Sequence, residues 1–587
     1  MSLRSVLSLF CAAAALSWTL GCARAERTLN ARPPAKAPAS QPSAVSSKPP
    51  VAAVSAKPAK PAKIAATTRA SKSAPADGVS KKAAPAQPRP ASAEQLRRAV
   101  ADVLASGPLA KAHVSVLVAP LAGGAPIVSH QAEKPRVPAS NAKLLTTTAA
   151  ALGLGGYRFV TEFAKRGSRV YVWGSGDPLL RGREIDAIAK QLKARGVRRV
   201  SEVVVDASHF DKRQLAPGFS AFHEGSYYRP TSSALNIDGN AVVIRISAPK
   251  TRRRPRVDVT PPSDYVKVRK RLRYLRTRRR RRRRRARARG KERISIQMRK
   301  RGSIMWLEIK GAIRRGARTR TTRRAVYDPA LNVGWALRRA LKKVGVGVRG
   351  IVRRGRRPRG ARVLVRKARS LGAILRVTNQ ASDNLAAETL VRALGVYGEK
   401  HQGRRAVDSW KRGLARLHAL LRSRLGVDGV ALKNGSGLHR SSHVSARALV
   451  KLLRAVYQRE GLRRALLPTL PIAGKTGTLG HRMRGTAAAG AVRAKTGTLG
   501  GALSLSGYAG LGSKRPLVFS VLVNGTGRRA ARRQIDRIAV LMARYAKGMP
   551  LYDAAEPAPQ SNPTTPASKP SAAIRPVGPR PLATHSR

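Results

Sequence analysis

Both ends of the chain have a composition that cannot build a packed core, and this confines the fold to the middle. Residues 26–92 consist largely of Ala, Pro, Lys and Ser, and residues 549–587 have the same character. Such segments bury too little apolar area to offset the entropy of ordering them. We therefore expect a disordered tether, an ordered region over about residues 93–548, and a disordered tail.

Residues 1–25 have the organisation of a secretory signal peptide. Arg4 precedes an apolar stretch over residues 6–20, and small residues lead to Ala25. The stretch is shorter than the roughly 20 residues of a membrane helix, and no later segment reaches that length. We expect export to the periplasm and a mature chain without a transmembrane helix. Residues 19–22 resemble a lipobox, so Cys22 is either a lipid anchor or an ordinary cysteine of a cleaved leader.

Cysteine and histidine usage excludes several kinds of stabilisation. Cys11 and Cys22 are the only cysteines, and both lie in the leader, so the folded region has neither a disulfide nor a cysteine metal site. The histidines do not have metal-ligand spacing. We expect no metal and no cofactor, and the fold must be held by packing.

The pattern of apolar residues predicts a mixed α/β (α+β) core that is split by an insertion. Alternation predicts strands over residues 113–118, 502–508 and 518–523, and helical spacing predicts helices over 140–152, 371–394 and 530–545. Between them lie short β-branched segments at 170–173, 203–205, 241–246, 294–298 and 305–309, with a helix at 331–344. We expect a core of residues 93–170 and 366–548, interrupted by strand-rich domains over 171–365.

The first candidate for chemistry is Ser140 with Lys143, at the start of a predicted helix. Residues three apart lie on one helix face, so the hydroxyl stands beside the amine. A lysine that is desolvated near other cations can be neutral enough to take the hydroxyl proton. Alone the motif is weak, because Ser247 and Lys250 match it as well.

Two further motifs lie downstream. Ser382, Asp383 and Asn384 precede a helical run, where a cap is the simplest interpretation, although a second hydroxyl and an amide also suit proton transfer and substrate binding. The strand-like segment after residue 492 contains four residues with groups that can receive a carboxylate or let a ligand approach the backbone: Lys495, Thr496, Gly497 and Thr498.

In the order Ser-x-x-Lys, Ser-x-Asn and Lys-Thr-Gly, separated by 242 and 113 residues, the set resembles penicillin-binding proteins and class A β-lactamases. The long first interval resembles the penicillin-binding protein 4 type of D-alanyl-D-alanine carboxypeptidase and endopeptidase, serine peptidase family S13, in which extra domains interrupt the catalytic one. Segments 176–180, 233–236, 379–385 and 434–438 also look like family segments.

The resemblance implies a serine β-lactamase/D,D-peptidase transpeptidase-like fold, with an antiparallel sheet packed by helices. It also implies an acyl-enzyme mechanism on peptidoglycan stem peptides, with β-lactams as covalent inhibitors. The backbone amides of Ser140 and Thr498 would form the oxyanion hole. The implied side-chain roles are Ser140 as nucleophile, Lys143 as its base, Ser382 as proton relay, Asn384 as substrate ligand, and Lys495, Thr496, Gly497 and Thr498 around the substrate's terminal carboxylate.

Two positions depart from the family pattern. A second Lys-Thr-Gly begins at Lys475, where the family usually has an aspartate before Gly-Thr-Leu, and we prefer Lys495 because of its spacing and the strand that follows. Asn434 stands where an acidic residue is expected before Gly-Ser-Gly.

The chain has 118 basic and 28 acidic residues, a net charge of +90. Residues 251–290 alone hold twenty basic and two acidic residues, including an unbroken run from Arg278 to Arg285. Charge repulsion predicts an unfolded, exposed loop, which is either simply solvated or an anchor for an anionic polymer or membrane surface. Export argues against nucleic acid as the partner. A β-lactamase or esterase on the same fold, or a non-catalytic binder of the cell wall, remain as alternative functions.

Overall fold

A computed structural model describes residues 90–219, 226–275, 277–278, 287–288, 291–397 and 408–552, which all belong to one compact unit. The predicted signal peptide, most of the tether, most of the tail and residues 279–286 of the arginine-rich loop lie outside the described residues. None of the helices in the described ranges is long and apolar enough to span a membrane.

The described ranges contain eleven α-helices. They are α1 Ala93–Ala105, α2 Gly107–Ala110, α3 Ala142–Gly153, α4 Gly182–Ala194, α5 Pro329–Lys343, α6 Leu371–Gln380, α7 Asn384–Val396, α8 Ser409–Leu425, α9 Ala446–Gln458, α10 Glu460–Leu466 and α11 Arg528–Ala546.

Twenty strands alternate with these helices in the described ranges. They are β1 His113–Pro120, β2 Val128–His130, β3 Phe159–Arg166, β4 Arg169–Gly174, β5 Arg199–Val200, β6 Glu202–Asp206, β7 Ala241–Ser247, β8 Arg256–Thr260, β9 Val266–Tyr274, β10 Thr277–Arg278, β11 Arg287–Ala288, β12 Arg293–Arg301, β13 Ile304–Ile313, β14 Arg320–Ala325, β15 Gly347–Val348, β16 Val352–Arg354, β17 Arg362–Arg369, β18 Val492–Leu499, β19 Ala502–Ala509 and β20 Leu517–Asn524.

The first sheet is antiparallel, in the order β18-β19-β20-β1-β2, and joins the two distant parts of the predicted core. Side chains alternate across it, as the pleat requires. On β1, Val114 and Val116 pack with α1 and α11, whereas Leu117 faces the cluster that contains α3, α7 and α9. The sheet is therefore covered by helices on both faces, and the predicted arrangement of a sheet packed by helices is confirmed.

The second sheet, in the order β16-β6-β4-β3-β17, belongs to the insertion and packs against α4 and α5. Two smaller sheets follow, β14-β7-β8 and β12-β13-β9. The boundary that we predicted after residue 170 falls inside β4, which pairs with β3. Sheet membership therefore places the transition before Phe159 and after Arg369, because β3 and β17 also pair with each other.

Two local predictions need correction. The expected helix from residue 140 begins at Ala142, since Ala139 has a positive φ of 47° and Ser140 lies in a short 3₁₀ turn. The expected continuous helical run over residues 371–394 is two helices, α6 and α7, because Ser382 has a φ of 57°. A left-handed residue cannot continue a right-handed helix, so both breaks bend the chain at a predicted site residue.

The prediction that residues 251–290 are unfolded is wrong for the first half of the segment, which forms β8 and β9. The physical reason is alternation: Val266 and Leu272 of β9 are buried, whereas the basic residues between them face solvent. A strand separates neighbouring charges onto opposite faces, and this reduces the repulsion that we expected to prevent folding.

Helices α7 and α8 cross through a pair of glycines. A Cβ atom added at Gly413 would lie 1.9 Å from the backbone oxygen of Val391, and one added at Gly395 would lie 2.1 Å from that of Ser409. The two backbones are therefore in direct contact, and any side chain at either glycine would separate the helices.

We expect Gly413→Ala to destabilise the protein by about 1–3 kcal/mol, because the clash with Val391 outweighs the better helix propensity of alanine. Thermal unfolding measures this. The matched control is Gly372→Ala in α6, where no atom lies within 4 Å of the added methyl group. The control should be neutral or slightly stabilising, and an equal loss in both variants would contradict the close-contact argument.

Candidate active site

Ser140 lies in a short turn that precedes α3 and packs against β18 and β19 of the first sheet. The residue is 8% exposed. The backbone of Gly437 packs directly against this turn, because a Cβ atom added at Gly437 would lie 1.9 Å from the carbonyl oxygen of Ala139. Only a glycine permits this approach, and this accounts for the Gly-Ser-Gly segment.

Lys143 is fully buried one helical turn after Ser140, as the spacing predicted. Its Nζ lies 2.9 Å from the Ser140 Oγ, and it donates to the Asn384 Oδ1 at 2.7 Å and the Ser436 carbonyl at 2.9 Å. Burial lowers the pKa of Lys143 to about 7, although the charges of Glu388 and Asp383 oppose the shift. Burial therefore favours the neutral amine, the form that can accept a proton.

The Ser-Asp-Asn motif fills the break between α6 and α7. Asp383 is the N-cap of α7 and accepts from the Ala386 amide at 2.8 Å, so the cap interpretation is correct for this residue. The positive φ of Ser382 turns its side chain away from the helix axis, toward Lys495. Asn384 reaches Lys143, and so the break brings Ser382 and Asn384 to the two buried lysines.

Lys495 is the second fully buried amine of the site. It lies on β18 and donates to the Ser382 Oγ and to the Thr496 carbonyl, both at 2.9 Å. Burial, and after it the charge of Lys143, lowers the pKa of Lys495 well below its usual value. The three motifs thus meet in two linked pairs, Ser140 with Lys143 and Ser382 with Lys495.

Strand β18 is an edge strand of the first sheet. Among the described residues, only the first part of its outer edge is hydrogen-bonded to another segment. The Ala494 amide donates to the Pro471 carbonyl, so residue 494 points outward. Because residues two apart on a strand direct their backbone groups to the same side, Thr496 and Thr498 also point to this outer edge. Gly497 packs against the serine turn, since a Cβ there would lie 3.0 Å from the Ser140 nitrogen.

The second Lys-Thr-Gly has a different position from the first. Lys475 is exposed, whereas Lys495 is completely buried. Thr478, from the second motif, nevertheless lies at the site, because its Oγ1 accepts from the Thr496 Oγ1 at 2.8 Å. We prefer Lys495 on this geometry too, and Thr478 is a site residue that the sequence argument missed although the repeated motif contained it.

The sequence matches the D-Ala-D-Ala carboxypeptidase 3 (S13) family over residues 96–545. The chain belongs to this family. A D-alanyl-D-alanine carboxypeptidase of Actinomadura sp. (strain R39) is 32% identical over 473 residues, which are 77% of this chain and 85% of that protein. The D-alanyl-D-alanine carboxypeptidase DacB of Haemophilus influenzae is 22% identical over 402 residues, 66% of this chain and 80% of that one.

The crystal structure of penicillin binding protein 4 from Haemophilus influenzae has the same fold. It superposes with a TM-score of 0.63 at 22% identity, over 75% of this chain and 97% of that chain. The structure of the same protein complexed with a β-lactam superposes with a TM-score of 0.59. The fold that the three motifs implied is therefore confirmed.

Glu388 is a supporting residue of this S13 site that the motifs do not reveal. It is fully buried on α7, and its carboxylate accepts from the backbone amides of Gly435 and Ser436 and from the Trp410 Nε1. These bonds hold the loop whose Ser436 carbonyl contacts Lys143. Its sequence signal is only its place four residues after Asn384, on the same helix face.

Asn434 accounts for one departure from the S13 pattern. Its Oδ1 accepts from the Gly437 amide at 3.0 Å, as a carboxylate would, and its Nδ2 donates to the Pro217 carbonyl at 2.9 Å. Both the oxygen and the nitrogen of the Asn434 amide thus help to hold the loop. An aspartate could not donate to Pro217.

The insertion also reaches the site. The Tyr228 carbonyl accepts from the Asn384 Nδ2 at 2.7 Å, and the Tyr228 residue is 43% exposed. This contact fixes which end of the Asn384 amide faces Lys143. Nothing in the local sequence indicated it, because the contact spans 156 residues.

The lowered pKa of Lys143 predicts how the reactivity of Ser140 depends on pH. Only the neutral amine accepts a proton, so acylation by benzylpenicillin should accelerate about tenfold per pH unit at low pH. It should level off above the pKa of about 7. Glu388→Gln should move the midpoint to lower pH, because the Glu388 carboxylate favours the charged amine. Rapid-mixing kinetics across pH measure both effects.

The matched control is Asp428→Asn, which removes an equal charge from an exposed surface pair with Arg422. Its midpoint should equal that of the unaltered chain. An identical midpoint in the Glu388 variant would show that the measured group is not Lys143.

Proposed function

We propose that the chain is a serine D-alanyl-D-alanine carboxypeptidase and endopeptidase that cuts peptidoglycan stem peptides through an acyl-enzyme on Ser140. The observation that carries this proposal is the 2.9 Å contact between the Ser140 Oγ and the fully buried Lys143 Nζ. A serine hydroxyl is a weak nucleophile until a neighbouring base takes its proton. A lysine with a pKa of about 7 is such a base.

In the first step, the Ser140 proton passes to the Lys143 Nζ while the Oγ bonds to the carbonyl carbon of the penultimate D-alanine. The carbonyl oxygen becomes an oxyanion, which the backbone amides of Ser140 and Thr498 receive. Two contacts support this assignment: the Thr498 amide points to the free edge of β18, and Gly497 brings that edge against the Ser140 nitrogen.

In the second step, the peptide C–N bond breaks and the leaving amine takes a proton from the Ser382 hydroxyl. Lys495, at 2.9 Å, returns a proton to Ser382 and takes one in turn from the Lys143 ammonium, so that Lys143 is neutral again. Water then hydrolyses the ester on Ser140: Lys143 takes a proton from the water and gives it to the Ser140 Oγ as the ester bond breaks. The products are the shortened peptide and D-alanine, or two separated stem peptides when the bond is a crosslink.

The peptide binds along β18 as an added strand, because the outer edge at Thr496 and Thr498 is open. Lys495, with the hydroxyls of Thr496 and Thr498, supplies a positive, donor-rich end for the terminal carboxylate. Asn384 binds the peptide carbonyl and is oriented by Lys143 and Tyr228. β-Lactams acylate Ser140 in the same geometry, because their strained amide occupies the place of the scissile bond.

We also propose export to the periplasm, which is where the substrate lies. The support is the leader composition in residues 1–25, and a lipid at Cys22 would retain the protein at a membrane. The run from Arg278 to Arg285 is proposed to add to attraction for anionic surfaces, on the basis of its charge alone.

Ser140→Ala should abolish labelling by fluorescent penicillin and reduce D-alanine release from a pentapeptide by at least about 10⁴, roughly 5.5 kcal/mol in the barrier. Mass spectrometry of defined muropeptides measures release, and cleavage of a crosslinked dimer measures the endopeptidase activity. Ser247→Ala is the control, because Ser247 is in the other Ser-x-x-Lys match. Labelling that survives in the Ser140 variant would exclude the mechanism.

Replacing each lysine of the two Lys-Thr-Gly motifs separates their roles. Lys495→Ala should reduce D-alanine release by about 10²–10⁴, since it removes the group that contacts Ser382 and the carboxylate site. Lys475→Ala should change release by less than about threefold, because an exposed amine outside the cleft contributes little. Initial rates of release measure both, and the reverse order would assign the site to Lys475.

A further inference from the structure

The three-stranded sheet β12-β13-β9 has one face on which cationic side chains predominate. Side chains alternate along each strand, and the register aligns the outward positions of the three strands. We define the basic face by the eight outward cationic residues on this sheet: Lys267, Arg269, Arg271 and Arg273 on β9, Arg293, Arg299 and Arg301 on β12, and Lys310 on β13.

The opposite face fixes this orientation. Met305, Leu307 and Ile309 of β13 are completely buried and belong to the hydrophobic core of the insertion. Leu272 of β9 joins the same core. Because one side of the sheet is packed, a shift of one residue would bury the charged row, so the basic residues are held outward by the core.

Among the outward positions of this sheet, one residue is acidic. Glu308 lies in the central row, with its carboxylate 3.3 Å from Lys310 and 3.7 Å from Arg299. Arg269 lies opposite Glu308 in the register but forms no ion pair with it. Within the described ranges, five further residues of the face make no ion pair: Lys267, Arg271, Arg273, Arg293 and Arg301.

The second sheet of the same insertion is different, and this separates the basic face from the general positive charge of the chain. There, Glu162 binds Arg357 and Arg366, while Glu202 binds Arg169 and Arg353. Four arginines on or beside that sheet therefore pair with two of its carboxylates. The basic face has eight cations around one carboxylate, so most of its charge is available to an external anionic partner.

The geometry of the face favours a planar partner. Strands lie about 4.8 Å apart and outward residues recur about every 6.7 Å, so the rows on β9 and β12 run about 10 Å apart on either side of β13. Cations thus occupy a two-dimensional array on an exposed sheet. A linear polyanion would engage one row, whereas a layer of anionic headgroups meets both rows at once.

Trp306 points to the same kind of partner. It is partly exposed in the central row of the face, with Lys267 and Arg299 as its register neighbours on the two flanking strands. Tryptophan beside lysine and arginine is the composition of protein surfaces at the membrane–water boundary, where the ring lies at headgroup level.

We propose that the basic face binds membrane surfaces rich in anionic phospholipids. Each cation near such a surface contributes to binding, and the contributions add over the array. The interaction places the catalytic unit at the lipid boundary and does not use Ser140. It is therefore separate from the proposed peptidase activity.

The test is cosedimentation of the exported chain with vesicles of phosphatidylglycerol and phosphatidylcholine at physiological ionic strength. Every variant carries Cys22→Ser, so that a lipid anchor plays no part. The combined variant Lys267→Gln, Arg271→Gln and Arg273→Gln should bind at least about tenfold more weakly. The matched control, Arg532→Gln, Arg533→Gln and Arg537→Gln on exposed α11 positions, loses the same charge and should keep its affinity.

Tryptophan fluorescence gives a second measurement. Vesicles should shift the emission of the unaltered chain to shorter wavelength, and Trp306→Phe should remove most of the shift. Penicillin labelling should be equal in all variants, which shows that the fold is intact. Equal loss of vesicle binding in the β9 and α11 variants would overturn the proposal, because net charge would then suffice. Full vesicle binding by the β9 variant would also overturn the proposal. So would a β9 variant that loses affinity for soluble polyphosphate but not for vesicles.

Discussion

Two amines buried side by side are the constraint on which the active site depends. Lys143 and Lys495 are both completely buried, and charging both in one low-dielectric cleft is costly. Within the described residues, no carboxylate contacts either Nζ; their acceptors are neutral oxygens of Ser140, Asn384, Ser436, Ser382 and Thr496. The breaks in the helices, the glycine contacts and the Glu388-supported loop place these oxygens. The result is a pair of amines whose pKa values both lie below the usual value for lysine.

The convergence of the three motifs was predictable, because each candidate group lies in a short motif that the sequence contains in full. Ser140, Lys143 and Lys495 follow from spacing and resemblance alone. The structural support was not predictable. Glu388, Thr478 and Tyr228 act through contacts between distant segments, and a single sequence contains no signal for those contacts. The strands and helices of the core were predicted well, because apolar periodicity reports burial directly. The positive φ values at Ala139 and Ser382 were missed, since tertiary contacts impose them against local preference.

The arginine-rich segment shows how net charge misleads when position is ignored. Counting charges predicted an unfolded loop, yet β8 and β9 are ordered because apolar side chains at alternating positions, such as Val266 and Leu272, pack in the core. Pleating converts a uniformly basic stretch into one apolar face and one cationic face. The same alternation that stabilises the insertion therefore creates a surface with unpaired charge. One pattern of apolar and basic side chains gives both the packed side of the sheet and its proposed interaction surface.

The position of β1 between β20 and β2 in the first sheet has a consequence for how the protein is made. This strand pairs with β20, and the neighbouring Leu109 amide bonds to Gln534, 425 residues later in the chain. During synthesis, the serine emerges long before the strands that complete its surroundings. Pairing across such a separation is slow, because loop closure must precede any gain from contacts. The complete site can therefore assemble only after its last strands have been synthesised.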